Sequence, residues 1–169
     1  MTVTDLQVAY DYGCWANRKL FAVIAELSVE DFTRPVAGSY GSIRNTLVHV
    51  VSAEAGWLER CGGPRRGPRL KADDFPTFGS VLQKWQTVEA QWRAFLASAK
   101  DEDLARIVEF SIDPSVKYAL PMGELVQQAT THGVHHRGQV ALLLRLLDRV
   151  PGDFDILLYF FGRQEADRT

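Results

Sequence analysis

The sequence predicts an all-α protein: an antiparallel four-helix bundle with a short extra C-terminal helix and a small hairpin before the fourth long helix. Three observations predict this fold class. Four long segments carry apolar residues at three- and four-residue steps, turn-forming residues separate these segments, and β-rich runs occur in one short region. At 169 residues the chain has the length of one domain, residues 1–169, with enough material for a hydrophobic core.

The N-terminal half is predicted to contain two of the long helices. The first covers residues 4–27, with Thr4 as its capping residue. Its apolar stripe contains one polar residue, Asn17, and a buried amide needs hydrogen-bond partners. Asn17 is therefore expected either to bond to the backbone or to face a polar cavity. The second helix begins after another capping residue, Ser42, and ends at Cys61, because two glycines and a proline follow.

The C-terminal half is predicted to contain the other two long helices and the hairpin. The helix over residues 78–99 has the most regular apolar period, formed by Val81, Trp85, Val88, Trp92, Phe95 and Ala99. Two β-rich runs, 106–112 and 116–120, flank an Asp-Pro-Ser turn and predict a small hairpin, with an extended crossover loop as the alternative. The fourth long helix is predicted over residues 121–148 and the short last helix over residues 155–163.

Composition and charge argue against a nucleic-acid partner. The formal net charge is −2, whereas a nucleic-acid-binding domain usually carries a clustered basic excess. One basic cluster, formed by Arg65, Arg66, Arg69 and Lys71, lies in a stretch rich in glycine and proline and is followed by two aspartates. We interpret this cluster as a solvated loop.

The sequence also predicts a cytoplasmic protein without a membrane anchor. The N-terminus has neither the basic region nor the apolar region of a signal peptide. No run approaches the about 18 continuous apolar residues of a membrane span. The two cysteines, Cys14 and Cys61, are too few for a disulfide framework and lack Cys-x-x-Cys spacing, so we expect both to be small core residues.

Two of the four histidines are placed as a pair on the fourth long helix. His132 and His136 are four residues apart, so both rings emerge from the same helix face. This spacing is common by chance, but both residues fall within the apolar stripe of the helix. Two imidazoles without a carboxylate partner are costly to bury unless something ligates them, which favours a metal site. The alternative is a pair of core histidines that are hydrogen-bonded to the backbone or to carboxylates.

His49 is the expected third ligand, because it lies on a facing helix and its same-face neighbours, Ala53 and Gly56, are small. His135 points about 100° away from His136 on the helix and is left outside the site. Three imidazoles without a fourth protein ligand describe an open metal site, in which water or substrate completes the coordination sphere.

Two long runs, GSIRNTLVHVVSAEAGWLER and GELVQQATTHGVHHRGQVALLLR, resemble the DinB-like family of metal-binding four-helix bundles. The N-terminal YDYGCWANRKL and the C-terminal PGDFDILLYF also match the family's usual pattern, so the resemblance spans nearly the whole chain. The most specific part is THGVHHRGQV. One histidine from the second helix and two from the HxxxHRGQ helix bind a divalent metal in that family, which implies His49, His132 and His136 here. Many members have a further histidine where this chain has Gln128.

The resemblance also implies a range of activities. Characterised relatives include thiol-dependent transferases and isomerases that use low-molecular-weight thiols such as bacillithiol or mycothiol, and other members are assigned as metal-dependent hydrolases. It therefore implies a metal-dependent S-transferase with a small-thiol cosubstrate. The alternatives are a hydrolase that activates a water at the metal and a non-catalytic metal- or ligand-binding bundle. Zinc and nickel are the first candidates for the ion, with iron and manganese as alternatives.

Glu54 is the candidate catalytic residue. It lies on the apolar face of the second predicted helix, where a carboxylate can act as a general base or support a metal ligand. Its alternative role is a partly buried ion pair with one of three arginines, Arg44, Arg60 or Arg137.

The remaining expectations concern the surface and the partners. Arg137 and Gln139 are predicted to point away from the ion. Aromatic residues on more than one helix face, including Tyr12, Trp15 and the run 159–161, leave more apolar surface than one bundle covers. We therefore expect a homodimer that acts on a small-molecule substrate.

Overall fold

The computed structural model describes residues 1–166, and its architecture is mostly helical. Four long helices form the bundle: α1 (Val3–Ile24), α3 (Ile43–Cys61), α4 (Phe78–Ser98) and α5 (Met122–Arg145). Two shorter helices are α2 (Val29–Thr33) and α6 (Ile156–Ala166). Helices α1 and α3 each pack against both α4 and α5, which confirms the predicted bundle.

The ends of the helices follow local capping chemistry. Helix α1 begins after Thr2, whose hydroxyl accepts from the backbone N–H of Asp5 while the Asp5 carboxylate accepts from the backbone N–H of Thr2. The prediction of Thr4 as the cap is wrong by two residues, because the reciprocal partner Asp5 selects Thr2. Ser42 caps α3 as predicted, and the left-handed Gly62, at φ 103°, ends it.

The connection between α4 and α5 contains the predicted hairpin. Strands β1 (Ile107–Phe110) and β2 (Tyr118–Pro121) pair antiparallel, with Val108 opposite Leu120. An extended crossover loop is thereby excluded. Both strands are shorter than the sequence pattern suggested, and α5 ends three residues before the predicted 148. The sequence did not predict α2, because its 5 residues are too few to show a helical period of apolar residues.

The apolar stripe of α4 forms the centre of the core. Val81, Trp85, Val88 and Trp92 are all buried, as the sequence predicted. Leu96 takes the last buried position of the stripe, while the predicted Phe95 is only partly buried. The Trp92 ring is fully buried, and its Nε1–H donates to the backbone carbonyl of Glu54 at 3.2 Å, which ties α4 to α3.

Across residues 1–166, none of the helices combines the length and the apolar character needed to cross a membrane.

Candidate metal centre

Three histidines from two packed helices converge at one end of the contact between α3 and α5. The Nε2 atom of His132 lies 3.1 Å from Nε2 of His49 and 3.0 Å from Nε2 of His136. One ligand atom from each of the three residues lies within 4.8 Å of the other two. The four-residue spacing on α5 stacks His132 over His136, and α3 supplies His49 from across the interface.

The position of His136 is fixed by a residue that sequence reasoning set aside. Nδ1–H of His136 donates to Oε1 of Gln139 at 2.6 Å, and the hydroxyl of Ser39 donates to the same oxygen at 2.8 Å. The prediction that Gln139 points away from the site is therefore wrong. A ligating histidine usually donates its other ring N–H in this way, which leaves Nε2 as a free lone pair. The sequence did contain a signal for this contact, because residues three apart on a helix, such as His136 and Gln139, are neighbours on its surface.

Tyr40 is a second residue that the sequence did not reveal. Its hydroxyl lies 2.9 Å from Nε2 of His49, and the two rings are stacked with centroids 3.9 Å apart. Tyr40 belongs to the turn-rich segment before α3, where no periodic pattern relates side chains to the helices. The phenol therefore lies at the nitrogen that faces His132.

Burial keeps the three imidazoles neutral. Burial, together with the neighbouring His136, His132 and Arg69, lowers the pKa of His49 to about 4. Burial likewise lowers the pKa of His132 to about 4, and burial lowers that of His136 although its bond to Gln139 opposes the shift. Neutral imidazole is the form that binds metal, so all three rings are in the binding form at neutral pH.

The donor set fits a divalent ion. In a tetrahedral site with metal–nitrogen bonds of about 2.0–2.1 Å, two ligand nitrogens lie roughly 3.3 Å apart. Two of the three pairs here are close to this spacing, at 3.0 and 3.1 Å, and the three ligand atoms all lie within 4.8 Å of one another. The two short contacts of His132 cannot both be hydrogen bonds, because its single Nε2–H can serve only one neighbour, although the Tyr40 hydroxyl can serve Nε2 of His49. Nδ1 of His132 is also buried without a partner among the described residues.

His135 lies outside the cluster. It is exposed, and its Nε2 accepts from the side-chain amide of Gln139 at 3.0 Å. The histidines grouped as potential metal ligands in residues 1–166 are His49, His132 and His136, which are the three residues selected from the sequence.

The histidine cluster borders an open pocket of about 370 Å³. His49 and His132 line one side of it, and His136 lies behind them. The other lining residues are Ser52, Ala53, Gly56, Trp57, Arg60, Arg66, Arg69, Ile112 and Gln128. Arg66 and Arg69 belong to the loop that the sequence suggested was solvated, and Arg65, Arg69 and Lys71 are indeed exposed. The loop also folds back over α3, where the backbone N–H of Leu70 donates to the Ser52 hydroxyl at 3.3 Å.

Comparison with known proteins agrees with this fold. Residues 1–167 match the DinB family. The chain belongs to the DinB family. Protein DinB of Bacillus subtilis (strain 168) is 24% identical over 157 residues, which cover 90% of this chain and 91% of that protein. The uncharacterized protein YizA of the same strain is 21% identical over 154 residues, covering 91% of this chain and 92% of YizA.

Solved structures share the fold of this DinB-family chain. A DinB-like protein from Bacillus cereus ATCC 10987 superposes with a TM-score of 0.71 at 20% identity, covering 90% of this chain and 97% of that one. A conserved protein from Enterococcus faecalis gives a TM-score of 0.62 at 15% identity, covering 86% of this chain and 97% of that one. Identities this low establish the fold and leave the chemistry to be argued from the site.

Glu54, the predicted catalytic residue, lines a different cavity. It is buried on the side of α3 that faces α1, in a cavity that it shares with Tyr10, Cys14, Asn17, Gly133 and Arg137 among others. His49 and His132 line the open pocket instead. A catalytic role for Glu54 stays a prediction, and the cavity in which it lies favours a structural one.

Arg137 is buried next to Glu54, contrary to the expectation of a displayed side chain. Its Nη1 donates to Oδ1 of Asn17 at 3.2 Å, and its guanidinium lies 5.3 Å from the centre of the Tyr12 ring. Asn17 therefore faces a polar cavity, which was one of its two predicted environments. Within residues 1–166 no ion pair joins Glu54 to Arg137, and burial raises the pKa of Glu54 to about 8 although the Arg137 charge opposes this shift.

Proposed function

We propose that this DinB-family protein is a metal-dependent enzyme that transfers a small thiol to an electrophilic substrate. The observation that carries the proposal is an incomplete ligand set beside a pocket. Three imidazoles converge, no fourth histidine, cysteine or carboxylate joins them within the described part of the chain, and a cavity of about 370 Å³ lies against two of them. Structural metal sites are usually closed by four protein ligands, whereas catalytic sites keep a position for water or substrate.

A divalent ion held by His49, His132 and His136 would lower the pKa of a bound thiol or water and polarise a bound carbonyl. The protein's own contribution is to keep the three rings neutral and oriented. Burial keeps the rings neutral, and the Gln139 amide orients His136 by accepting a hydrogen bond from its Nδ1–H. Zinc and nickel remain the proposed ions, with iron and manganese as alternatives.

The two cysteines support an external thiol. Both Cys14 and Cys61 are buried, and burial raises the pKa of each thiol, that of Cys61 to about 11. Neither forms a thiolate readily at neutral pH, so a sulfur nucleophile would have to come from a cosubstrate. In the proposed substitution, the thiol loses its proton to solvent and its sulfur supplies the electron pair of the new C–S bond. The leaving group departs with the electrons of the broken bond.

Metal analysis followed by an activity screen tests this proposal. The purified protein is loaded with zinc or nickel, and elemental analysis measures the ion content per chain. Aryl halides, epoxides and activated esters are then tested with and without small thiols. Thiol-dependent turnover that a chelator abolishes supports the transferase. Thiol-independent ester hydrolysis favours the hydrolase alternative, and stoichiometric metal without any turnover favours a binding-only bundle.

We also propose that the protein is a homodimer. Tyr12 and Trp15 are half-buried, and the Tyr159 ring of α6 packs on both, with centroids 6.0 and 5.7 Å away. Large apolar side chains are also exposed on α5, at its C-cap and on α6: Val134, Leu142, Leu146, Ile156, Leu157, Phe160 and Phe161. Exposed apolar patches of this kind often mark interfaces. Light scattering at micromolar concentration should give twice the chain mass of 19.0 kDa, and a monomer mass would refute the dimer.

A further inference from the structure

We propose that the pocket beside the histidine cluster binds a small organic anion, and that Arg66 and Arg69 hold its carboxylate or phosphate group. This inference rests on the proposed function, because it names the class of substrate that would reach the metal centre. It is carried by the wall of the pocket, where three guanidinium groups from α3 and the following loop meet.

The geometry brings two of these guanidinium groups to one point. A Cβ atom placed on Gly56 would lie 3.1 Å from Nη1 of Arg60 and 3.1 Å from Nη1 of Arg66. Both guanidinium groups therefore approach the backbone of α3 at Gly56, where no side chain intervenes. Gly56 lies about two helix turns after His49. Like charges gathered in this way repel each other unless an anion lies between or beside them.

Arg60 is held in place by contacts that leave it little freedom. Its Nη1 donates to the Gly56 carbonyl at 3.0 Å and its Nη2 to the Ser111 carbonyl at 3.4 Å. Its guanidinium also lies 4.9 Å from the centre of the Trp57 ring. Arg60 thus fixes the positive charge of the pocket wall, and the loop residues Arg66 and Arg69 supply the guanidinium groups that close on a ligand.

The positive charge of the pocket is poorly compensated. None of its lining residues is acidic. Glu59 contacts Arg66 from outside the pocket at 3.5 Å, and among residues 1–166 Arg69 makes no ion pair. Burial and the nearby Arg66 charge both lower the pKa of Arg60, as expected for a cation next to another cation.

The chemistry of the wall selects the class of ligand. Guanidinium groups bind carboxylates and phosphates through two parallel hydrogen bonds, so a planar or tetrahedral oxyanion fits best. The volume of about 370 Å³ falls in the range of small-molecule pockets, and Trp57 and Ile112 offer apolar surface for the rest of the molecule. A substrate bound in this way would present its other end to His49 and His132.

An NMR titration with matched probes tests this inference. The probes are benzoate and phenyl phosphate, with neutral benzamide as the uncharged control, and the Trp57 indole N–H is the reporter. We expect at least one anion to shift this signal saturably, with at least tenfold higher affinity than benzamide. Arg66→Gln and Arg69→Gln should each weaken anion binding about tenfold. Arg65→Gln, the same charge change one residue away but outside the pocket, should alter it less than twofold.

The outcomes separate this inference from the proposed function. Equal binding of benzamide, an equal loss in Arg65→Gln, or no loss in either Arg66→Gln or Arg69→Gln would overturn the anion site. Anion binding that requires zinc and ignores the arginine variants would also overturn it, because the ion would then be the receptor. If the protein binds the anion but takes up no metal, the anion site stands and the proposed enzyme fails. Preference for benzoate or for phenyl phosphate then identifies the anionic group.

Discussion

Replacing His132 with alanine is expected to abolish stoichiometric metal binding. His132 contributes the central Nε2 of the cluster, 3.1 and 3.0 Å from the other two, so its loss leaves two ligands with a gap between them. Removing a residue that only hydrogen-bonds to a metal ligand already lowers metal affinity about 10–100-fold. Removing a ligand itself should therefore lower metal affinity by more than about 100-fold. His49→Ala and His136→Ala should behave in the same way. Isothermal titration with zinc and with nickel at neutral pH measures the effect.

His135→Ala is the matched control for these variants, because it removes an imidazole from the same helix, three residues from His132. It should leave metal affinity nearly intact, since its Nε2 accepts from the Gln139 amide and is not one of the clustered ligand atoms, and the Ser39 hydroxyl still holds Gln139. If His135→Ala removed the metal while His132→Ala kept it, the assignment of the helix faces would be wrong. Wild-type protein that takes up neither zinc nor nickel would refute the site and favour three hydrogen-bonded core histidines.

The ligand trio could be predicted from the sequence because its geometry is local. A four-residue step on a helix places His132 over His136 whatever the rest of the fold does. Selecting His49 needed one further assumption, that the apolar face of α3 turns toward α5. The regular spacing of apolar residues along α3 supported this assumption. The fold class was predictable for the same reason, since four strong helical periods leave few ways to bury their apolar stripes.

The pocket wall was not predictable because it depends on long-range contacts. Arg66 and Arg69 lie in an irregular loop, and nothing in their local sequence shows that this loop folds over α3. The contact of Tyr40 was also not predictable, since an irregular turn brings its hydroxyl to His49. Arg137 was predicted to be exposed, because a charged residue in a helix usually faces solvent. It is buried instead, since Asn17 of α1 supplies an amide oxygen as its hydrogen-bond partner.

The buried carboxyl group of Glu54 sets a pH dependence of stability. Burial raises its pKa from 4.5 to about 8 in the folded protein, whereas the unfolded chain titrates near the ordinary value. Between these two pH values the folded protein keeps a proton that the unfolded chain releases. Stability therefore falls as pH rises from about 4.5 to about 8, and above this window the full cost of the buried charge is present.

Glu54→Gln should remove this dependence, because glutamine has the shape of the protonated acid and does not ionise. A tenfold change in proton affinity corresponds to about 1.4 kcal/mol, so above about pH 8 the variant should exceed wild type in free energy of unfolding by a few kcal/mol. Near pH 4.5 the two should be equal. Urea unfolding across this range measures the difference, with Glu59→Gln, on the partly exposed side of α3, as a control that changes stability by less than about 1 kcal/mol. If Glu54→Gln instead made the protein less stable than wild type at about pH 8, Glu54 would be ionised and stabilised by Arg137.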